Sequence, residues 1–212
     1  MARERCDIAI IGAGVMGLAT GIALLQERPD LKVVIADKES EIAKHASGRN
    51  SGVLHAGFYY SPDSLKARFC RDGNRAIKQL AKKHEIPVRE VGKVVVARNS
   101  DENNRLDTLF ERGIKNGVEL ELLEESRLSE FEPLAVTHQR FLWSPTTAIS
   151  DSKAIVKAMQ DEFIVLGGEI SFGKKLKLKI VNKEVFDDSS NFDAHYFVNA
   201  AGAQADRISR SI

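Results

Sequence analysis

The sequence predicts an α/β fold organised around a parallel sheet, on three observations. A short apolar, β-branched run from Cys6 to Ile11 ends in Gly12-Ala13-Gly14-Val15-Met16-Gly17. Good helix formers then fill Val15 to Arg28, and Pro29 closes the stretch. A second apolar run, Lys32 to Ala36, delivers Asp37. Strand, glycine turn, helix and strand within about thirty residues is the size of one βαβ unit. A parallel pair joined in this way needs its crossover helix packed on one face of the sheet, with a right-handed connection.

Composition excludes several classes. A length of 212 residues suits one domain, or one domain with an appended piece. The 31 Lys+Arg against 30 Asp+Glu leave a net charge of +1, which argues against a nucleic-acid partner. Hydrophobic residues at 43% and charged residues at 29% are an ordinary globular mixture. With only Cys6 and Cys70, neither a disulfide framework nor a multi-cysteine zinc site is available. His45, His84, His138 and His195 have no metal-ligand spacing, so no metal site is expected. No apolar run approaches the roughly eighteen residues of a membrane helix. Met1 to Arg5 is basic, but Asp7 and the glycines beyond it read as strand and turn, not as a secretory signal. The expectation is a soluble, cytoplasmic protein.

The remaining elements follow in order. Glu41 to Tyr60 is rich in Ser, Gly, His and Asn without a clean period, which predicts an ordered loop with one short helical turn. A helix restarts near Ser61-Pro62, with Ser61 as N-cap and an apolar stripe of Leu65, Phe69, Ala76, Ile77 and Leu80. Val94 to Val96 reads as a strand, and Ser100 caps a helix bearing Leu106, Leu109, Phe110 and Ile114 that stops at Gly117. Asp151 to Leu166 is a further helix, stopped by Gly167-Gly168. Strands follow at Glu169 to Phe172, at the alternating Leu176/Leu178/Ile180, and at Tyr196 to Val198, which runs into Asn199-Ala200-Ala201-Gly202. Charge is uneven: Lys66 to Arg89 holds eight Lys/Arg against two acids, and Asp101 to Glu132 ten acids against four bases. Two solvated helix faces of opposite sign account for this, with a basic wall for an anionic substrate as the secondary reading.

The glycine turn carries the chemistry most clearly. Gly12 permits the tight turn, Gly14 lacks a Cβ and lets backbone approach a diphosphate, and Gly17 lets the helix pack close to the strand. The helix N-terminus offers unpaired N–H groups and a positive dipole end to phosphates. Asp37, twenty residues past Gly17, can accept hydrogen bonds from a ribose diol and disfavours a 2′-phosphate. That leaves NAD or FAD. The loop Ser47 to Gly57 is dense in small polar donors. It can lie along a diphosphate and ribityl chain, bringing Asn50, Ser51 and His55 toward a flavin ring, or it can be a surface turn. Composition does not separate the two.

Ile10 to Gly17, Ser47 to Tyr60 with its continuation Ser64 to Cys70, and Phe197 to Gly202 resemble the L-2-hydroxyglutarate dehydrogenase/oxidase family. These are FAD-dependent oxidoreductases related to D-amino-acid oxidase and glycine oxidase, and Arg49 to Tyr60 is the specific part of the match. The resemblance implies bound FAD, an L-2-hydroxy acid substrate, foremost L-2-hydroxyglutarate, and 2-oxoglutarate as product. It implies Gly12, Gly14, Gly17, Asp37, Lys38, Ser47, Asn50, Ser51, Gly52 and Gly202 as cofactor-binding residues. Oxygen or a quinone is the implied electron acceptor, and a peripheral membrane contact is compatible with it. Family members continue well past a segment similar to Val198 to Gly202, so a fragment, or a site completed by a partner, is expected. The rival readings are a catalytically silent flavoprotein remnant, an NAD-dependent dehydrogenase and an amine-oxidising relative.

Among single residues, His55 is the catalytic candidate: a neutral imidazole can take the hydroxyl proton as the C2 hydride moves to the flavin. A histidine that only hydrogen-bonds cofactor or loop fits equally, and a covalent flavin link is a third option. Lys66 and Arg68 can steer a dicarboxylate, although solvated side chains are the default on a charged helix. Trp143 reads as core or lid packing and Cys70 as a buried structural residue. The expected organisation is a Rossmann-type FAD-binding domain from residues 1–84 and 150–212, with 85–149 beginning an α+β substrate domain.

Overall fold

The computed structural model describes residues 3–182 and 184–212, so Met1 and Ala2 of the basic N-terminal stretch lie outside the described residues. In chain order the first elements are β1 (Glu4–Ile11), α1 (Val15–Glu27), β2 (Val33–Ala36), β3 (Val53–Leu54) and α2 (Leu65–Lys83). Next come β4 (Val88–Arg89), β5 (Lys93–Val96), α3 (Ser100–Lys115), β6 (Glu121–Glu124), α4 (Leu128–Phe131), β7 (Arg140–Ser144) and β8 (Ala148–Ser150). The last are α5 (Ser152–Val165), β9 (Glu169–Ser171), β10 (Leu178–Val181), β11 (Glu184–Asp187), β12 (Phe192–Asn199) and α6 (Ala205–Ser209). They form two compact units, one of residues 1–50 with 152–212 and the other of residues 51–151. Helix α2, grouped with the N-terminal segment in the sequence reading, falls in the second unit.

The first unit is a Rossmann-type α/β layer. Its sheet has the order β12-β1-β2-β9, and every neighbouring pair is parallel. Ile8, Ile10, Val33 and Ile35 point to one face and pack with Leu18 and Leu25 of α1 and Val156 and Phe163 of α5. Ala9, Ile11, Val34 and Ala36 point to the other, against Leu176, Leu178 and Phe192. Burial on both faces is why β1 and β2 read as continuous apolar runs without alternation. Phe163 wedges between helices at Gly21, where an added Cβ would stand 2.6 Å from its ring. Full burial of that ring is worth roughly 2–3 kcal/mol.

One polar group organises the far side of this unit. The buried Asp187 ends β11 and accepts from the backbone amides of Ser189 (3.0 Å), Asn191 (2.9 Å) and Phe192 (3.1 Å), and from the Ser189 hydroxyl. Its carboxylate therefore does for the turn into β12 what a sheet partner would do, satisfying amides that would otherwise be buried without acceptors.

The second unit is α+β, with two three-stranded antiparallel sheets, β3-β8-β4 and β5-β7-β6. Helix α3 sends Leu106 into a core with Phe58, Val118, Leu120 and Leu142. Trp143 is packing: its ring lies tilted against that of Phe131, with centroids 4.7 Å apart, and fills the space where a Cβ on Gly92 would fall.

Helix starts differ from the sequence expectation in two places. Helix α2 begins at Leu65, not near Pro62, because Asp63 adopts a left-handed φ of 65° that no helix can contain. Ser64 is its N-cap, accepting from the Ala67 amide at 3.1 Å. Helix α3 is capped by Asn99, which accepts from the Glu102 amide at 2.9 Å, and Ser100 is its first residue. The α2 stripe also faces differently: Leu65 and Phe69 are exposed while Ala67 and Ala81 are buried, and Cys70 is only half-buried. Gly117 stops α3 as expected, with a φ of 69° and its amide bonded to the Ile114 carbonyl. No helix among the described residues is long and apolar enough to cross a membrane.

Candidate functional site

At the C-terminal ends of β1, β2 and β12 the first unit opens into a cleft of about 460 Å³. This is where an open parallel sheet presents its loops and where ligands of such folds bind. Gly12 leaves β1 at a φ of 111°, and a Cβ on it would lie 2.5 Å from the Ala200 carbonyl oxygen. A Cβ on Gly17 would lie 1.9 Å from the Gly12 carbonyl oxygen. Both positions therefore require glycine for packing alone. Gly14 is different: its missing Cβ would meet only the Ser47 hydroxyl, at 3.0 Å. Its bareness keeps the cleft floor open over the first turn of α1.

That turn has free electrostatic capacity. Gly14 is the N-cap and offers no side-chain acceptor, and no acid lies in the first turn. Ser47, from the 3-10 turn Ala46–Gly48, supplies one acceptor from outside the helix, to the Val15 amide at 3.0 Å. The dipole end faces the cleft with no acid on the first turn itself, which is the arrangement that binds phosphate.

Asp37 forms a second wall. Its Oδ2 accepts from the Ala13 amide at 2.7 Å and its Oδ1 from the Glu39 amide at 2.9 Å, so the carboxylate is rigidly aimed. Each oxygen keeps a lone pair for a further donor, as a vicinal diol would provide. Lys38 beside it reaches Glu39 at 3.2 Å, and His45 reaches the same carboxylate at 2.9 Å. Those hydrogen bonds, from His45 first and Lys38 second, hold the Glu39 carboxyl below the usual range. The segment Lys174 to Leu176 closes the same wall, tied in by the Lys174 amide on the Asp37 carbonyl at 2.8 Å. Sequence reading missed this segment, because two lysines before a leucine carry no ligand signature.

The strand end Asn199 to Gly202 completes the rim. The Asn199 side chain donates to the Ala205 carbonyl at 2.8 Å, and Gly202, at a φ of 55°, lines the cleft. Gly12, Gly14, Asp37, Lys38, Ser47 and Gly202 are thus brought to one cleft, with Gly17 behind it. The Asn50 side chain turns back on its own loop, donating to the carbonyls of Ala46 (3.1 Å) and Ser47 (2.9 Å).

Ser51, Gly52 and His55 belong to the second unit. Gly52, at a φ of 68°, passes so close to Ser150 that a Cβ would lie 2.3 Å from its carbonyl oxygen. His55 is exposed, and its backbone carbonyl is held by the Asn74 amide group at 3.2 Å and the Cys70 thiol at 3.5 Å, both from α2. Partial burial first, and the Lys93 charge second, lower its pKa from the ordinary histidine value. The imidazole is therefore predominantly neutral at pH 7, the form that accepts a proton.

A parallel sheet with a glycine turn, an open helix N-terminus and an aimed carboxylate defines a dinucleotide-binding α/β protein. Residues 7–212 match the model of the FAD dependent oxidoreductase family, and the chain belongs to that family, whose members depend on FAD. It is 35% identical over 212 residues to an L-2-hydroxyglutarate dehydrogenase of Indibacter alkaliphilus, covering 96% of this chain and 52% of that protein. It is 37% identical over 212 residues to a mitochondrial L-2-hydroxyglutarate dehydrogenase of Caenorhabditis briggsae, covering 95% of this chain and 49% of that one. The chain therefore spans about half the length of these relatives. The fold superposes on the L-alpha-glycerophosphate oxidase of Mycoplasma pneumoniae, solved with FAD bound, with a TM-score of 0.81 and 24% identity, covering 98% of this chain and 57% of that one.

Proposed function

We propose that this chain holds FAD and serves the oxidation of L-2-hydroxyglutarate to 2-oxoglutarate. The observation that carries the cofactor part is the first turn of α1, which bears no acid of its own, opening onto the cleft that Asp37 walls. The substrate part is supported by the names of the relatives matched along nearly the whole chain.

In this reading residues 1–50 and 152–212 form the FAD-binding domain, and residues 51–151 contribute to substrate handling. The amides at the start of α1 neutralise the diphosphate, and Asp37 accepts the ribose hydroxyls. Lys38, Ser47, Asn50, Ser51, Gly52 and Gly202 act in holding the cofactor. FAD, when bound, supplies the acceptor for the hydride that leaves C2 of the substrate. His55 takes the hydroxyl proton, so the alcohol loses two electrons and two hydrogens and becomes a ketone. Reoxidation falls to oxygen or a quinone, the latter with a peripheral membrane contact. The two unpaired cysteines accord with a reducing compartment, and the reading places the protein in the cytoplasm.

The test is spectroscopic. Protein reconstituted with FAD should be yellow, and anaerobic L-2-hydroxyglutarate should bleach it while an amino acid does not. Yellow protein bleached only by the amino acid would replace the substrate assignment. Colourless protein that takes up NAD would replace the cofactor.

A further inference from the structure

We infer that Lys93 holds a substrate carboxylate beside His55, a role that rests on the proposed function of His55. Lys93 opens β5, with its backbone fixed opposite Ser144 of β7. Its ammonium lies 4.6 Å from the centroid of the Tyr59 ring and 6.0 Å from that of Phe58, whose rings stand 4.2 Å apart. Lys93 is half-buried, and among the described residues no carboxylate pairs with it.

The contrast with its neighbours is informative. Lys78 is matched by Glu90 at 2.5 Å and Arg71 by Asp72 at 3.0 Å. Among the described residues Lys93 meets aromatic faces, which attract a cation more weakly than an anion does and leave its donors open. A cation that has lost part of its hydration and has no counter-ion is set up to take one from a ligand. Tyr59 follows His55 on the same short segment, so an anion held against the Tyr59 face by Lys93 lies on the stretch that carries the group assigned to the hydroxyl proton. The Lys93 charge acts, after burial, to lower the His55 pKa. Tyr59, exposed at 39%, adds an aromatic wall and a phenol donor to the same spot. Lys66, 5.9 Å above the Tyr60 ring, lies on the next tyrosine and offers a second positive charge for a dianion.

The experiment is a titration of FAD-loaded protein with L-2-hydroxyglutarate, following the His55 Cε1–H resonance, assigned with a His55→Gln variant. The wild type should show a saturable shift. Lys93→Met, which keeps the apolar stem over the rings, should weaken binding about tenfold or more, the loss expected of one charge-assisted contact. Lys93→Arg should restore most of it, which a packing role alone would not require. Equal affinity in Lys93→Met and wild type, or no shift in the wild type, overturns the inference. The visible spectrum separates this from the functional reading. A flavin that L-2-hydroxyglutarate fails to reduce counts against that reading, whereas Lys93-dependent binding in the same sample still supports the carboxylate site.

Discussion

The Ala13 amide donates to Oδ2 of Asp37 over 2.7 Å, so the glycine turn and the end of the second strand are tied by the same carboxylate that walls the cleft. Asp37 thus has two duties, and removing it should show both. Asp37→Ala should lower the stability of the cofactor-free protein by about 1–3 kcal/mol, through the amides left without an acceptor. It should also weaken FAD binding by more than the stability loss accounts for. Urea unfolding and flavin fluorescence titration measure the two separately; unchanged FAD affinity would remove Asp37 from the ribose.

The three glycines of the turn should behave differently. Gly17→Ala forces a Cβ to 1.9 Å from backbone and should destabilise the fold outright. Gly14→Ala meets only the Ser47 hydroxyl at 3.0 Å, so the fold should survive. Gly14→Val should leave the circular dichroism spectrum native yet abolish FAD uptake, since its branches occupy the cleft floor. A Gly14→Val protein that binds FAD normally would show that the diphosphate lies elsewhere.

How much of this was legible in the chain depends on where the information lay. Cys6–Ile11, the glycine turn, Val15–Arg28 and Asp37 are local signals, and the structure assembles them as read. The cap of α2 was misread because Ser61-Pro62 and Ser64 are both good starts, and only the φ of Asp63 decides between them. Leu65 and Phe69 keep helical spacing, yet which face α2 turns inward is a tertiary choice that spacing does not encode. Lys93 and the Asp187 turn were invisible for the same reason: the rings of Tyr59 and Phe58, and the amides of Asn191 and Phe192, reach them only after folding.

The cysteines should react in a fixed order. Cys6 is buried in β1, and burial first, then the Glu4 charge, raise its thiol pKa to about 11. Burial also raises that of Cys70, which is more open. Iodoacetamide at pH 8 should therefore modify Cys70 slowly and Cys6 only after unfolding, because the thiolate is the nucleophile. Peptide mass analysis of a timed pulse reads the order; equal labelling in the native state would contradict the packing of β1.

The pH dependence of flavin reduction follows from His55. Burial and then Lys93 disfavour its charged form, so its pKa lies below the usual value of about 6.5. The neutral ring is the base, so the rate should be flat above that pKa and fall about tenfold per unit below it. Lys93→Met should move the midpoint upward. Anaerobic stopped-flow reduction across pH 5 to 8 checks the sign, and a midpoint above the ordinary histidine range would contradict it.

The most direct measurement is the crystal structure of the chain reconstituted with FAD. The diphosphate should rest at the N-terminal turn of α1, on the Gly14 amide and the Ser47 hydroxyl, and the adenosine ribose should meet both oxygens of Asp37. A flavin nucleotide bound away from the α1 N-terminus, with this cleft closed by its own side chains, would contradict the assignment.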